Sequence, residues 1–249
     1  MRIKNKILPF FAVIGLGLAV MVAMTLFFPV ETAIAVTAVV HFANNLFKLG
    51  LFWRKADVGV CLRFGIPAFA ASLAGAWLLV RVAGLPPLVT TTVAGLSLTV
   101  TPVKLVVGVL MAGFAINELQ GGRPGRTPSA AMLPLGGVLS GFFGGLSGNQ
   151  GAFRSAFLLG AGLAKEAFIA TGVVLACVVD VSRLAVYAGQ SGTTLVAGHP
   201  GLVLTATLSA FAGALLGRRV LTRMTIATVR LLVGTMLLCL SLALCLGVI

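Results

Sequence analysis

Apolar residues fill this chain in long runs, and polar residues gather between the runs. A run of about 20 apolar residues is what an α-helix needs to cross the hydrocarbon core of a bilayer. Runs bounded by charge or by Gly and Pro predict spans at residues 7–28, 32–53, 58–82 and 102–119. A broken stretch follows at 130–163, and then spans at 165–187, 201–217 and 225–248. At about 30 residues per crossing and its connection, the chain makes about seven or eight crossings and has no room for a sizeable soluble domain. The expected fold is an all-α integral membrane protein of seven to eight transmembrane helices plus broken or re-entrant helices.

Composition excludes the alternatives. The 249 residues are 59% hydrophobic and 9% charged, against roughly 25% charged in a soluble domain. So few charges cannot cover a water-facing surface. A soluble enzyme, a disordered chain and a disulfide-stapled secreted module are ruled out. The net charge is +13, from 18 Lys and Arg against 5 Asp and Glu. In a soluble protein this would point to nucleic acid. Here basic residues belong in cytoplasmic loops against anionic lipid, so the bilayer is the expected partner and nucleic acid is not. Cys61, Cys177, Cys239 and Cys245 lie in apolar runs without metal spacing and read as small hydrophobes.

Charge also orients the spans. Arg2, Lys4 and Lys6 precede the first run, as in a signal peptide. That run is too long for a typical signal core and lacks a convincing cleavage site, so a retained span is expected. Arg54 and Lys55 follow the second span, Arg123 and Arg126 the fourth, and Arg218, Arg219 and Arg223 lie between the last two. Segments 84–98 and 188–200 carry no charge. Basic loops inside and neutral loops outside give a multi-pass topology with a cytoplasmic N-terminus. This requires 130–163 to enter and leave on one side, as a re-entrant hairpin or as two short crossings. Gly136, Gly137, Gly141, Gly144, Gly145, Gly148 and Gly151 interrupt it. Irregular backbone at membrane depth survives only where it is buried in protein or lines a cavity.

The halves repeat. Residues 31–52 align without a gap over 166–187, placing Glu31 on Glu166, Asn45 on Asp180, Lys48 on Arg183 and Phe52 on Tyr187. Apolar matches count for little; the polar coincidences count for more. Val103-Lys104-Leu105-Val106-Val107-Gly108 likewise resembles Val229-Arg230-Leu231-Leu232-Val233-Gly234, and Gly75 and Arg81 fall more weakly on Gly213 and Arg219. The charge-based topology runs the aligned spans in opposite directions, so the repeats are inverted: residues 1–119, a cytoplasmic linker at 120–129, and residues 130–249. Inverted repeats with a site at their interface are the usual build of a secondary transporter.

Charges inside spans are functional candidates by default. His41, Asn44, Asn45 and Lys48 fall at i, i+3, i+4 and i+7, on one helical face. Asp180, Arg183 and Tyr187 share the equivalent face of the repeat partner. Read as a site, these residues hold an anion. Read as structure, Asp180 and Arg183 neutralise each other, Lys48 snorkels and His41 makes an interhelical hydrogen bond. A second cluster is the broken segment containing Ser147, Gly148, Asn149, Gln150 and Arg154. A half-helix starting near Gln150 would turn free N–H groups and its positive dipole end toward an anion; the alternative is a Gly-rich surface loop with Arg154 at headgroups. Asp180, Glu31 and Glu166 are the candidates for coupling a proton, the two glutamates weaker for lying near span ends. Lys104 and Arg230 read as snorkelling anchors. No phosphate loop, nucleophile–base arrangement or metal-ligand set is visible, so neither cofactor nor metal is expected and an enzyme is disfavoured.

At these residues the chain resembles a known family. Thr37 to Lys48, Gly144 to Leu158, Lys165 to Gly172 and Asp180 to Arg183 look like the TauE/SafE sulfite exporter family, also called the 4-toluene sulfonate uptake permease family. The resemblance covers nearly the whole chain. It implies a bacterial inner-membrane carrier of two homologous halves, with sulfite, sulfoacetate or other sulfonates as substrates. The first half departs from the family pattern, keeping only Gly15-Leu-Gly17 of the glycine-rich break. Such anions offer acceptor oxygens and no donors, and want a donor-rich, net positive site. The expected function is secondary transport of a small sulfur-containing anion by alternating access; an anion channel using the same residues as a filter is the alternative. Substrate, direction, coupling ion and oligomeric state stay open, and a homodimer is compatible with the sequence.

Overall fold

The computed structural model describes residues 30–93, 96–120, 128–148, 150–189, 200–221 and 226–248. The expected span at 7–28, the basic positions Arg123, Arg126 and Arg223, and Asn149 lie outside the described residues. Eight α-helices follow one another: α1 (Val30–Phe52), α2 (Val58–Ala83), α3 (Pro102–Leu119), α4 (Leu133–Ser147), α5 (Gly151–Leu159), α6 (Lys165–Ala188), α7 (Pro200–Leu221) and α8 (Ile226–Cys245). Three of the described helical stretches are long and apolar enough to cross a membrane: Val58–Ala83, Ala130–Ser147 and Glu166–Ala188.

One departure from the expected elements is small. The neutral segment after α2 is not all loop: β1 (Val89–Val93) pairs antiparallel with β2 (Leu96–Val100). Its β-branched Val-Thr-Thr-Thr-Val run suits a strand. The hairpin is tied down by Thr99, whose N–H donates to the Gly247 carbonyl at 3.1 Å and whose carbonyl accepts from Lys104 Nζ at 2.8 Å. Lys104 thus does more than snorkel.

Each long helix divides its apolar surface between protein and surroundings. On α2, Phe64, Ala68, Ser72, Gly75, Ala76 and Leu79 are buried, whereas Leu62, Ile66, Phe69 and Trp77 are exposed. A helix apolar all round presents one face to protein and the other to lipid. The N-terminus of α2 is capped by Asp57, whose Oδ1 accepts from the Val60 N–H at 2.8 Å. The Asp57 N–H in turn donates to Thr171 Oγ1 on α6.

The tightest seam joins α2 to α4. A Cβ on Gly137, Gly141 or Gly145 would overlap the carbonyl of Phe64, Ala68 or Ser72 respectively. Both series step by one helical turn in the same sense, so α2 and α4 run parallel with their backbones in contact. Without a hydrophobic drive between helices in lipid, close backbone approach through small residues is the main source of packing energy. The contacts of α2 with α6 also step in the same sense, through Asp57–Thr171, Gly65–Leu175 and Ser72–Ser182.

The 130–163 stretch is a helical hairpin. Gly144 packs on Gln150, and Gly136 on Phe157, so α5 returns antiparallel along α4. Gly160, just past α5, abuts the Pro128 carbonyl just before α4. The segment therefore begins and ends at one place, as both the re-entrant hairpin and the two short crossings require.

A final pair of helices, α3 and α8, packs through glycines at reciprocal positions. Gly108 faces the Ser241 carbonyl and Cys245, and Gly234 faces the Ala115 carbonyl and Leu119. The order of these contacts makes the two helices antiparallel.

Candidate functional site

The site forms where α1, the α4–α5 break and α6 converge. Asp180 and Arg183, one turn apart on α6, are 0% and 1% exposed. Arg183 Nη2 lies 2.8 Å from Asp180 Oδ1 in a buried ion pair. Asn45 Nδ2, on α1, donates to the other carboxylate oxygen at 2.7 Å. Asp180 is therefore held by residues of both α1 and α6, and the expected neutralisation of Arg183 by Asp180 is present.

That neutralisation leaves donors over. The pair's alignment leaves Arg183 Nη2 and Asp180 Oδ1 without a well-formed hydrogen bond, and Arg183 Nε has no partner at all. Arg154 Nη1 and Gln150 Oε1 are also buried and unpartnered, as is Asn44 Oδ1 on α1. Buried polar groups are nearly always satisfied, and leaving one unsatisfied costs about 1–3 kcal/mol, more if it is charged.

The break supplies the geometry. Helix α4 ends at Gly148, whose φ of 77° is left-handed and favours glycine. A Cβ there would stand 2.9 Å from Arg183 Nη1. Gln150 then caps α5, and its carbonyl accepts from the Arg154 N–H and from Ser140 Oγ, both at 3.1 Å. Tyr187 Oη donates to the Gly145 carbonyl at 2.9 Å, binding α6 to the last turn of α4. Helix α5 starts three residues past Gly148, and its first N–H groups have no acceptor within the helix. Phe143 and Phe153 stack across the break at 5.2 Å, and Phe114 of α3 meets both edge-on.

Further charges gather around this point. His41 is exposed and lies within electrostatic reach of Arg183, Asp180, Lys48 and Arg154. Half-buried Lys48 feels Arg154, and Arg154 feels Asp180. His41, Asn44, Asn45, Lys48, Gly148, Gln150, Arg154, Asp180 and Arg183 are accordingly brought together. Ser147 Oγ is used within its own helix, donating to the Phe143 carbonyl at 3.0 Å. Glu166 is exposed in the first turn of α6, about 21 Å along the axis from Asp180. The side chain of Glu31 lies outside the described residues.

Two supports were not expected from the sequence. Ser140 fixes the Gln150 carbonyl, and Ser72 shares a short hydrogen bond with Ser182 between α2 and α6. A hydroxyl buried in an apolar helix must bond somewhere, which marks Ser140 and Ser182 but not their partners.

A family model for the sulfite exporter TauE/SafE matches residues 10–244. The chain belongs to the TauE/SafE family. Its members are membrane transporters, and the family description points to sulfite or a related sulfur anion. No curated protein and no solved structure matches the chain.

Proposed function

We propose that this TauE/SafE protein is a secondary carrier for a small sulfur oxyanion or sulfonate, and that Asn45, Gln150, Arg154, Asp180, Arg183 and the start of α5 bind it. The observation that carries this reading is the pair of buried guanidinium nitrogens without partners, Arg183 Nε and Arg154 Nη1, on the helices that flank the α4–α5 break. An ionised sulfite or sulfonate presents several acceptor oxygens. Guanidinium forks and free N–H groups are the donors that match them. Desolvating the anion costs several kcal/mol, which only convergent donors offset.

Alternating access between two inverted repeats is supported by the symmetry of the contacts. Asn45 and Asp180 are repeat equivalents, and they hydrogen-bond to each other, as residues on a two-fold axis would. Gly108 and Gly234 are also equivalents. The residues they touch, Ser241 with Cys245 and Ala115 with Leu119, are equivalents in the same register. Residues 1–119 and 130–249 then rock about the buried Asn45–Asp180 contact. Seven to eight crossings in the bacterial inner membrane, with the N-terminus cytoplasmic, complete the proposal; Asp180 is the favoured coupling group because it bonds both Asn45 and Arg183.

Uptake of radiolabelled sulfite into proteoliposomes tests it. A carrier saturates and shows counterflow, with internal unlabelled sulfite accelerating entry of the label. Linear flux without counterflow would instead indicate a channel. Unchanged transport in Asn45→Ala, Asp180→Ala and Arg183→Ala would remove the site.

A further inference from the structure

We infer that this site takes a sulfonate that also carries a hydroxyl, and that Gln150 Oε1 is the acceptor that selects it; the inference rests on the binding site proposed above. Gln150 is 7% exposed, and its side-chain oxygen is buried without a hydrogen-bond partner. Other atoms hold the residue in place. Its backbone carbonyl accepts from Ser140 Oγ and from the Arg154 N–H, and its side chain lies against Gly144. The free oxygen is therefore not the mark of a loose side chain. It is an acceptor, and an ionised sulfonate group brings only acceptors. A ligand without a donor leaves this oxygen unpaired and away from water, which weakens its binding. A hydroxyl on the ligand satisfies it.

A donor for the sulfonate lies close by. Gly144 faces Val179 as well as Gln150, and Gly148 faces Arg183 Nη1. From Gly144 to Gly148 is one turn of α4, and from Val179 to Arg183 is one turn of α6. The Gln150 side chain and the Arg183 guanidinium are thus offset by about 5 Å along one helix contact. Arg183 Nε is buried and donates to nothing. A sulfonate on Arg183 and a hydroxyl two carbons away match that offset. A hydroxyl fits better than an ammonium. Asp180, next to Val179, is already bonded by Arg183 and Asn45, so an ammonium there would have no carboxylate of its own.

Isethionate and n-propanesulfonate form a matched pair, with the same charge and nearly the same size, and a hydroxyl in one where the other has a methyl. Binding of each to the detergent-purified full chain is measured by calorimetry. A site built around a substrate hydroxyl rejects the analogue that lacks it. Isethionate is expected to bind at least about tenfold tighter than n-propanesulfonate. Gln150→Met keeps the length of the side chain and the backbone carbonyl but removes the acceptor. It is expected to weaken isethionate by about tenfold and to bring the two ligands within about threefold of each other. Its unfolding temperature without ligand is expected to hold or rise, because a buried oxygen without a partner is lost. A clear fall would show that Oε1 is bonded within the protein and would overturn the inference. Equal affinity of the two ligands for the unaltered protein, or tighter binding of n-propanesulfonate, would overturn it and spare the site. An unchanged ratio in Gln150→Met would do the same. No binding of either would overturn the site itself.

Discussion

Asp180→Ala removes the only carboxylate in contact with a guanidinium that is 1% exposed. The loss is worked out from two contacts. Arg183 becomes an uncompensated buried cation, and breaking a buried pair from one side costs about 3–5 kcal/mol. Asn45 Nδ2 loses its 2.7 Å acceptor, which adds about 1 kcal/mol or more. Asp180→Ala is thus expected to lower stability by about 4 kcal/mol, and Arg183→Ala by about 3 kcal/mol, because Asp180 keeps Asn45. The double variant Asp180→Leu with Arg183→Leu strands no charge, and buried pairs replaced by apolar groups are often neutral in stability. Thermal unfolding in detergent and uptake in proteoliposomes are measured on all three. The double variant is expected to recover most of the stability of either single change and none of the transport. Recovery of both would show that the pair is a structural staple and that the anion binds elsewhere. A cost below about 1 kcal/mol for either single change would show that the pair is solvated, contrary to its burial.

Two further outcomes follow from the backbone. Gly141→Leu sets a side chain against the Ala68 carbonyl and forces α2 from α4. Overpacking at backbone contact is expected to cost about 3 kcal/mol or more and to abolish a monodisperse peak in size exclusion; Gly113→Ala, with nothing within 4 Å of the new Cβ, is the control and should be neutral or gain about 0.5–1 kcal/mol. Gly148→Ala keeps the fold at a cost of about 1–2 kcal/mol for the left-handed φ. Its Cβ crowds Arg183 Nη1 at 2.9 Å, so anion affinity should fall by about tenfold in a binding titration; unchanged affinity would place Arg183 outside the site.

Helices were the most legible feature because the apolar runs that lipid demands are long and local. The expected span 102–119 coincides with α3, and those at 32–53, 58–82 and 165–187 differ from α1, α2 and α6 by one or two residues. The polar stripe His41, Asn44, Asn45 and Lys48 was legible for the same reason: helical periodicity fixes a face without knowledge of the partner. What faces it was not fixed. The Asn45–Asp180 bond depends on the register between α1 and α6, and Ser140–Gln150 on how far α5 folds back along α4. The return of the 130–163 hairpin had two readings because glycine content says where a helix breaks and not where the chain goes next. The contact of Gly160 with Pro128 shows that the segment returns to where it began, which both readings require. The β1–β2 hairpin was hidden by a charge criterion that saw only a neutral connection.

The site is less symmetric than the scaffold that holds it, and this asymmetry has a physical reading. On the helices that meet about Asn45 and Asp180, α1 supplies an amide and α6 a carboxylate; one turn on, α1 supplies Lys48 and α6 Arg183. An ion pair one turn apart therefore exists on α6 and has no counterpart on α1. The cation on α6 is fully buried and oriented by its carboxylate, whereas Lys48 is half-buried. Guanidinium geometry suits the fixed, bidentate side of an anion site, and a flexible ammonium suits the side that opens to water. Asp180 is bonded to Arg183 and Asn45 at once, so an anion that engages Arg183 competes with a carboxylate that Asn45 holds in place.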